Sequence, residues 1–230
     1  MSRKAQAIEK SRELIKDDSF NARNRKSENM FTRIRCLPFE LVLIMILRKS
    51  TKSLQCIVNE TVISLGMEGV TASAYSQARY KLKHTAFIEL NQKAIIDVVY
   101  QDQDFTLKGT SKKFWGQRIL AVDGSKIRLP NTEEICAEFG TIAYSQGEYS
   151  DVQGEHPYAL GSVLFDVLNR VAIDAALGRT NAYEVDLAIA HLSHTRCGDL
   201  LLMDRNYPSY RMLAITLQKG CDFAIRCSAA

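Results

Sequence analysis

The sequence predicts a mixed α/β protein in which a helical N-terminal region is followed by a sheet with mixed strand directions. From Met30 to about Asp104 the apolar residues recur with the period of an α-helix, whereas from Ile119 onward short apolar runs alternate with helical patterns. The 230 residues are 46% hydrophobic and 24% charged, the composition of a globular chain with a sizeable core. This composition excludes disordered, collagen-like and disulfide-rich miniproteins.

Charge divides between the two halves of the chain. Residues 1–120 contain 21 Lys and Arg against 12 Asp and Glu, a balance of +9, while residues 121–230 contain 9 against 14, a balance of −5. The net charge of +4 hides this difference. We expect the two halves to perform different tasks, the basic half facing an acidic partner.

No segment has the length and apolarity of a membrane span, because the longest apolar run, Leu41 to Leu47, has seven residues against the about 20 that a spanning helix needs. The N-terminus lacks the apolar stretch of a signal peptide. A cytoplasmic protein without a membrane partner is therefore expected. The six cysteines are irregularly spaced without a C-x-x-C pair, which favours free thiols over a disulfide framework.

The first elements are predicted from polarity and helix signals. Residues 1–29 are polar and charge-mixed, which predicts an arm or frayed helix followed by a linker. Residues 30–112 are predicted to form a helical region. A helix begins near Pro38 and continues through Leu47, and a second runs from Ser53 to about Leu65, where glycines end it.

A third predicted helix carries the basic residues of this region. Thr71 or Ser73 can cap it, and its apolar face is formed by Tyr75, Ala78, Leu82 and Phe87. Three basic residues lie off that face: Arg79, Lys81 and Lys83. A short helix pair followed by a basic helix is typical of DNA-binding modules, in which Lys and Arg neutralise phosphates. The alternative is an ordinary solvated face of an amphipathic helix.

Strand signals dominate the second half. A β run over "RILAVDGSKIRLP" is expected to reach a break at Asp123-Gly124, and two further runs, "YALGSVLFDVL" and "VAIDAALG", predict a hairpin through Asn169-Arg170. Asn181 and Glu184 resemble a capping box ahead of a helix. The segments "DLLLMD", "PSYRMLAITLQKG" and "CDFAIRC" then predict a strand, a helix and a strand. The predicted order from Ile119 is β, β, β, α, β, α, β.

Two carboxylates stand directly after apolar runs. Asp123 follows "ILAV" and Asp204 follows "LLLM", and ligand sites of open α/β sheets lie at the carboxyl ends of strands. Paired carboxylates suit Mg²⁺, and phosphoryl transfer on nucleic acid commonly uses such ions. The alternative is structural, with Asp123-Gly124 forming a turn and Asp204 capping the helix at Pro208.

Several segments together resemble one protein family. "ILAVDGSKIRLP" and "LLLMDRNYPSYRMLAITLQKGCDFAIRC" are similar to the first and second catalytic segments of DDE transposases of bacterial insertion sequences, in the insertion-sequence-four type with a Tyr-Arg-Glu-Lys signature. Five further segments are similar to family segments in the same order: "FTRIRCLPFELVLIMIL", "TASAYSQARYKL", "EFG", "SVLFDVLNRVAIDAALG" and "YEVDLAIAHL". The resemblance covers about residues 30–227.

This resemblance implies a helical DNA-binding region over residues 30–112 and a ribonuclease-H-like catalytic core over residues 113–230. It implies that Asp123, on the first core strand, and Asp204, at the end of the fourth, hold Mg²⁺ or Mn²⁺. The implied activity is DNA transposition, in which water cleaves DNA at the element ends and the freed 3′-hydroxyl attacks other phosphodiesters. The implied partner is the DNA of the transposon ends. Arg205 and Tyr207 flank Asp204 and are expected to face this DNA, the alternative for Tyr207 being packing against the following helix.

The sequence also departs from the family pattern. Asn206 replaces the usual Gly, which Asn can do because it tolerates a left-handed conformation. The family's third metal ligand is a Glu on a later helix, and after Asp204 this sequence has no Glu, Asp222 being the one remaining acid. We therefore expect an incomplete core, truncated before the third acidic residue, with impaired metal binding and lost strand transfer. The alternative is a non-catalytic DNA-binding remnant that occupies element ends or pairs with full-length transposase as an inhibitor. The partners expected besides DNA are a second copy of this chain, in a homo-oligomer, or full-length transposase.

One further cluster has metal-ligand chemistry. His191, His194 and Cys197 stand at three-residue intervals, but a structural zinc site needs four ligands and no fourth partner stands at motif spacing. The default interpretation is a helix end with polar side chains.

Overall fold

The computed structural model describes residues 2–32, 36–48, 50–67, 69–101, 115–145 and 153–226. The chain divides into two compact units, residues 1–101 and residues 102–230. The expected fold class is confirmed, since N-terminal helices precede a mixed α/β region. The boundary expected between residues 112 and 113 lies outside the described residues. Among the helices of the described residues, none is both long and apolar enough to cross a membrane.

The first unit consists of helices. Their bounds are α1 Arg3–Lys16, α2 Asp18–Asn24, α3 Phe39–Leu47, α4 Leu54–Ser64, α5 Ala72–Tyr80, α6 Thr85–Leu90, a π-helical segment Asn91–Ile96 and α7 Asp97–Val99. Side-chain caps begin several of them, as Ser53 does for α4 and Thr71 for α5, each accepting a hydrogen bond from a backbone N–H three residues on. The helices predicted from Pro38 and from Ser53 are therefore present within a residue or two.

The segment expected to be an arm or frayed helix followed by a linker is helical and contributes to this unit's core. Residues 3–24 form α1 and α2, and Leu14 and Phe20 are buried with the rest of the cluster. The Phe20 ring packs edge-to-face against Phe39, with centroids 5.8 Å apart. Each of the two helices contributes one buried apolar side chain, and such sparse anchors do not produce a continuous apolar stripe in the sequence.

The basic helix is shorter than predicted. α5 ends at Tyr80, and Leu82 follows in an isolated bridge with Arg25, so the face that joined Tyr75 to Phe87 is divided between two helices. Backbone hydrogen bonds from Lys26 N to Lys81 O (2.9 Å) and from Lys83 N to Asn24 O (2.8 Å) hold this crossing. Residues 81–83 therefore pair with the chain after α2 and do not form a further turn of α5.

The second unit is built on a sheet of six strands within the described residues. Their bounds are β1 Ile119–Arg128, β2 Thr141–Ser145, β3 Gln153–Asp166, β4 Val171–Arg179, β5 Leu200–Met203 and β6 Asp222–Ile225. The sheet has the order β2-β3-β1-β5-β6, with β4 also paired to β3. β1 is antiparallel to β3 and parallel to β5, and β5 is parallel to β6.

Most predicted elements of this unit are present, and two further elements were not expected. The hairpin between β3 and β4 turns at Val167–Arg170, where Arg170 has φ +57°. The helices α9 Glu184–His191 and α10 Tyr210–Gln218 lie where expected. The two additional elements are a helix, α8 Glu133–Phe139, and the strand β2, which both precede β3.

A buried ion pair sets the register of the central parallel strands. The Arg118 guanidinium, just before β1, donates to both carboxylate oxygens of Asp199, just before β5, and both side chains are 4% exposed. The paired residues that follow are Ile119 with Leu200, Leu120 with Leu201 and Ala121 with Leu202. Each of these β1 residues therefore lies beside the β5 residue 81 positions later, the same separation as in the ion pair.

Candidate functional site

The register of β1 and β5 places Asp123 beside Asp204. The parallel pairing ends with Ala121 and Leu202, and two residues further along each chain stand the two aspartates. Residues two apart on a strand face the same side, and neighbouring strands lie about 4.8 Å apart. Both residues are exposed, and both lie just beyond the point where the parallel pairing ends.

The structural alternatives for the two aspartates do not hold. Asp123-Gly124 is not a turn, because β1 continues to Arg128 and remains paired with β3 throughout. Asp204 does not cap the following helix, because Ser209 is the N-cap of α10 and accepts from Met212 N. The expectation that β1 ends at Asp123 is therefore wrong, although its pairing with β5 does end just before it.

The backbone orients the two carboxylates in the same way. Gly124 N donates to Asp123 Oδ1 at 2.9 Å, and Arg205 N donates to Asp204 Oδ1 at 2.7 Å. In both cases the N–H of the following residue fixes one carboxylate oxygen. The side chains are thus held close to the backbone, which limits their rotation before any ligand arrives.

Tyr207, three residues after Asp204, is buried and not exposed at the surface. It closes the turn after β5, with Tyr207 N donating to Asp204 O at 3.1 Å, and the residue is 1% exposed. Its expected contact with DNA is corrected in favour of internal packing. The buried Tyr207 hydroxyl has no hydrogen-bond partner within the described part of the chain.

The electrostatics of Tyr207 identify a third carboxylate. Burial raises the pKa of Tyr207, and the negative charges of Glu184, Asp123 and Asp204 raise it further, to about 12. The phenol is therefore neutral at physiological pH. One buried hydroxyl lies within electrostatic reach of three carboxylates, of which Glu184 has the largest effect.

Glu184 was expected to form a capping box with Asn181, but the structure places its side chain elsewhere. The N-cap of α9 is Tyr183 and makes no side-chain capping bond, so Asn181 does not cap this helix. A side chain built at Gly124 would place its Cβ 3.3 Å from Glu184 Oε1 and 3.4 Å from Tyr207 Oη. Glu184 is thus held against β1 one residue after Asp123, a tertiary contact that spacing in the sequence could not indicate.

The donor set of this site suits a hard divalent cation. Carboxylate oxygens are the ligands that Mg²⁺ and Mn²⁺ prefer, and a neutral phenol can accept from water or donate to an oxygen. Within the described ranges, however, no three His, Cys, Asp or Glu side chains converge closely enough to form a complete metal site by themselves. Asp123 and Asp204 supply carboxylate oxygens, the type of donor that such a cation takes.

The predicted DNA-binding residues fall in both units. Arg205 is exposed, next to Asp204. In the first unit Arg79 is exposed at the end of α5, with its guanidinium carbon 5.7 Å from the Tyr75 ring centroid. Lys81 and Lys83 are half-buried, and Lys83 Nζ donates to the Arg23 carbonyl at 3.1 Å.

The His191 cluster does not form a zinc site. His191 is fully buried, with Nδ1 2.6 Å from Asp174 Oδ2 and Nε2 3.0 Å from Ser162 Oγ, so both ring nitrogens are engaged. His194 Nε2 lies 3.6 Å from Asp174 Oδ2. The described cysteines, Cys36, Cys56, Cys136, Cys197 and Cys221, are all free thiols.

Comparison with known proteins adds no assignment to this geometry. The chain matches no protein-family model and no curated protein sequence.

Proposed function

We propose that this protein carries out metal-dependent phosphoryl transfer on DNA, as a transposase of an insertion sequence does, with Asp123 and Asp204 as the metal-holding pair. The observation that carries the proposal is the β1–β5 register, which aligns the two aspartates at the end of their parallel pairing. The motif resemblance around each residue supports the same assignment. The cytoplasm, where the DNA of an insertion sequence lies, is the proposed location.

The residues of the site each have a task in this proposal. Asp123 and Asp204 would hold Mg²⁺ or Mn²⁺, which when bound neutralises charge on the phosphate and lowers the barrier to attack. The hydrogen bonds from Gly124 N and Arg205 N keep the two carboxylates oriented. The exposed Arg205 supplies positive charge beside the acidic pair, where a DNA phosphate would otherwise be repelled.

The first unit supplies the proposed DNA-binding surface. Lys26 and Tyr80, with the Lys26 ammonium 3.6 Å from the ring centroid, lie where α5 ends and residues 81–83 cross the chain after α2. Arg79, Lys81 and Lys83 belong to the same stretch. Clustered basic side chains beside an exposed aromatic ring are a common nucleic-acid surface.

The proposal is tested by incubating supercoiled plasmid with the purified protein in Mn²⁺. We expect slow nicking without strand transfer from the wild type, because its metal binding is expected to be impaired, and a loss of at least tenfold in rate from Asp123→Asn and from Asp204→Asn. Asp222→Asn is the matched control, because Asp222 is an exposed acid on the neighbouring strand whose carboxylate accepts from Gln117 at 2.6 Å. Nicking that survives both aspartate changes would show that the activity lies elsewhere.

A DNA-binding protein without catalysis, acting as an inhibitor of full-length transposase, is the second candidate. The observation that favours it is the concentration of basic residues in a unit separate from the acidic site. Retention of duplex DNA in a gel shift, combined with no nicking by the wild type in Mg²⁺ or Mn²⁺, would support this candidate over the first.

A further inference from the structure

Gly124, the residue after Asp123, is the point at which the Glu184 carboxylate and the Tyr207 hydroxyl approach β1. Glu184 Oε1 and Tyr207 Oη each lie within 3.4 Å of the position that a Cβ at Gly124 would occupy. The absence of a side chain at this residue is what allows the Glu184 carboxylate and the phenol to approach β1. A larger residue here would push one of them away, since a contact of 3.3 Å is already tighter than most Cβ contacts.

The Tyr207 hydroxyl is a second, independent sign that this space is built for a ligand. Burying a hydroxyl without a hydrogen-bond partner is unfavourable, and folded proteins rarely leave such a group unpaired. Tyr207 is 1% exposed and its Oη faces the same point as the Glu184 carboxylate. A hydrated cation among the carboxylates would present water to this oxygen.

The helix that carries Glu184 keeps the carboxylate in place. Glu184 is the first residue of α9, and the body of that helix is anchored to the sheet by the buried His191 between Asp174 and Ser162. Asp186, two residues further along, is turned away and pairs with Arg211 on α10 at 2.8 Å. Of the two acids in the first turn of α9, Asp186 therefore pairs with α10, and Glu184 lies beside Gly124 on β1.

We propose that Glu184 is the third carboxylate of the site, binding through water the divalent cation that Asp123 and Asp204 hold directly. This inference rests on the proposed function and names a residue that supplies charge to the same site. It differs from what the family resemblance implies, which is a Glu on a later helix. Mg²⁺ keeps several of its waters in proteins, so a carboxylate one water away still contributes to affinity.

The test measures Mn²⁺ binding to the full chain by calorimetry, with no DNA and no turnover. Asp123→Asn and Asp204→Asn should abolish binding, and Glu184→Gln should weaken the Kd by about tenfold, the range for residues that act through a first ligand. Glu184→Asp, which keeps the charge, should bind more tightly than Glu184→Gln. Asp186→Asn is the matched control and should leave the Kd unchanged, although it removes an equal charge from the same turn.

Melting temperatures separate a cation role from a structural one. Without Mn²⁺, Glu184→Gln should melt no lower than Asp186→Asn, and adding Mn²⁺ should raise its melting temperature less than that of the wild type. An unchanged Kd in Glu184→Gln, with binding lost in the aspartate variants, would overturn this inference and leave the proposed metal site standing. No Mn²⁺ binding by the wild type would overturn both.

Discussion

Tyr207 is the residue at which burial and charge oppose each other most clearly. Its ring is almost fully inside the second unit, yet its hydroxyl is unpartnered within the described residues and faces three negative charges. Burial of a polar group without a partner is unfavourable, so this residue costs stability in the absence of a ligand. A residue retained at such a cost is a sign of function more than of packing.

We expect Tyr207→Phe to stabilise the cation-free protein by about 1 kcal/mol, because the substitution removes an unpaired buried hydroxyl and keeps the ring. Urea unfolding at neutral pH measures the difference. Tyr210→Phe is the control, since Tyr210 is 91% exposed and its change should be within experimental error. A destabilisation of Tyr207→Phe would mean that the hydroxyl has a partner in the folded protein.

Tyr207 also predicts how the stability of the protein changes at alkaline pH. Burial, followed by the charges of Glu184, Asp123 and Asp204, raises the pKa of Tyr207 from 10.0 to about 12, so the folded chain holds the proton more tightly than the unfolded chain. The stability tied to this proton is fully present below pH 10 and is lost as pH rises towards 12. The difference in unfolding free energy between wild type and Tyr207→Phe should therefore grow in that window.

At the scale of elements, the His191 contacts join α9 to both strands of the β3–β4 hairpin. Ser162 lies on β3 and Asp174 on β4, and the imidazole bridges them from a fully buried position. A helix attached at this point keeps Glu184, one end of α9, at a fixed place over β1. The structural role of His191 thus supports the site without touching it.

We expect His191→Leu to lower the free energy of unfolding by about 2–3 kcal/mol, because it leaves a buried hydroxyl and a carboxylate without their partner. His194→Leu is the matched control, since its Nε2 is 3.6 Å from the same Asp174 oxygen and the side chain is 38% exposed; its effect should be below about 1 kcal/mol. Chemical denaturation of both variants provides the comparison. Equal effects would contradict the bridging role.

In the first unit, Glu89 joins α6 to α2, as His191 joins α9 to the β3–β4 hairpin in the second unit. Desolvation raises the pKa of Glu89, but hydrogen bonds from Arg23, Lys93 and Asn24 outweigh it and lower the pKa to about 2. The distances from Glu89 to these three donors are all 2.7 Å. The carboxylate therefore favours the folded state while it is ionised.

Glu89→Gln should lower the free energy of unfolding at neutral pH by about 2 kcal/mol. Because the variant lacks this ionised carboxylate, its free energy of unfolding should fall less than that of the wild type as the pH is lowered. The wild type keeps this contribution above pH 4.5 and loses it as the pH falls from 4.5 to about 2, because the unfolded chain binds the proton first. Circular dichroism during acid titration follows both proteins. Glu13→Gln, at an exposed Lys10 ion pair, should titrate like the wild type.

The elements that the sequence predicted are those with strong local signals. Capping residues and glycines located α4, α5 and α10, and the apolar runs located β1, β3, β4, β5 and β6. The unexpected segments, α8 and β2, are short, with seven and five residues, and α8 has no buried residue, so neither produces a long apolar period in the sequence. The aspartate pair was predicted because each acid follows an apolar run, whereas the position of Glu184 could not be predicted, because only the sheet and α9 together bring it to Gly124.

At the scale of the whole molecule, the division of charge follows the division into units. The basic excess falls mainly on residues 1–101 and the acidic excess on the part of the chain that contains the sheet. A protein that brings DNA to a carboxylate site needs both, since the acidic site alone repels phosphate. The proposed cation binding at the acidic site and the proposed DNA binding by the basic unit should therefore be separable by mutation.

Removing three basic residues together tests this separation. We expect Arg79→Ala, Lys81→Ala and Lys83→Ala in one variant to weaken binding to a short duplex, and to reduce the slope of log affinity against log salt by about 0.9 for each phosphate that is no longer neutralised. Fluorescence anisotropy across a salt series measures both quantities. Mn²⁺ affinity of the same variant should be unchanged, because Asp123 and Asp204 lie in the other unit.

A control with the same change of charge decides whether position matters or only net charge. Lys10→Ala, Arg12→Ala and Lys16→Ala remove three cations from α1, where Lys10 and Arg12 are paired with Glu13 and Glu9. If binding is carried by the stretch at the end of α5, this control should lose much less affinity and keep the salt slope of the wild type. Equally weakened binding in the two variants would mean that DNA responds only to the overall charge of the unit, and that Arg79, Lys81 and Lys83 are a solvated face without a specific role.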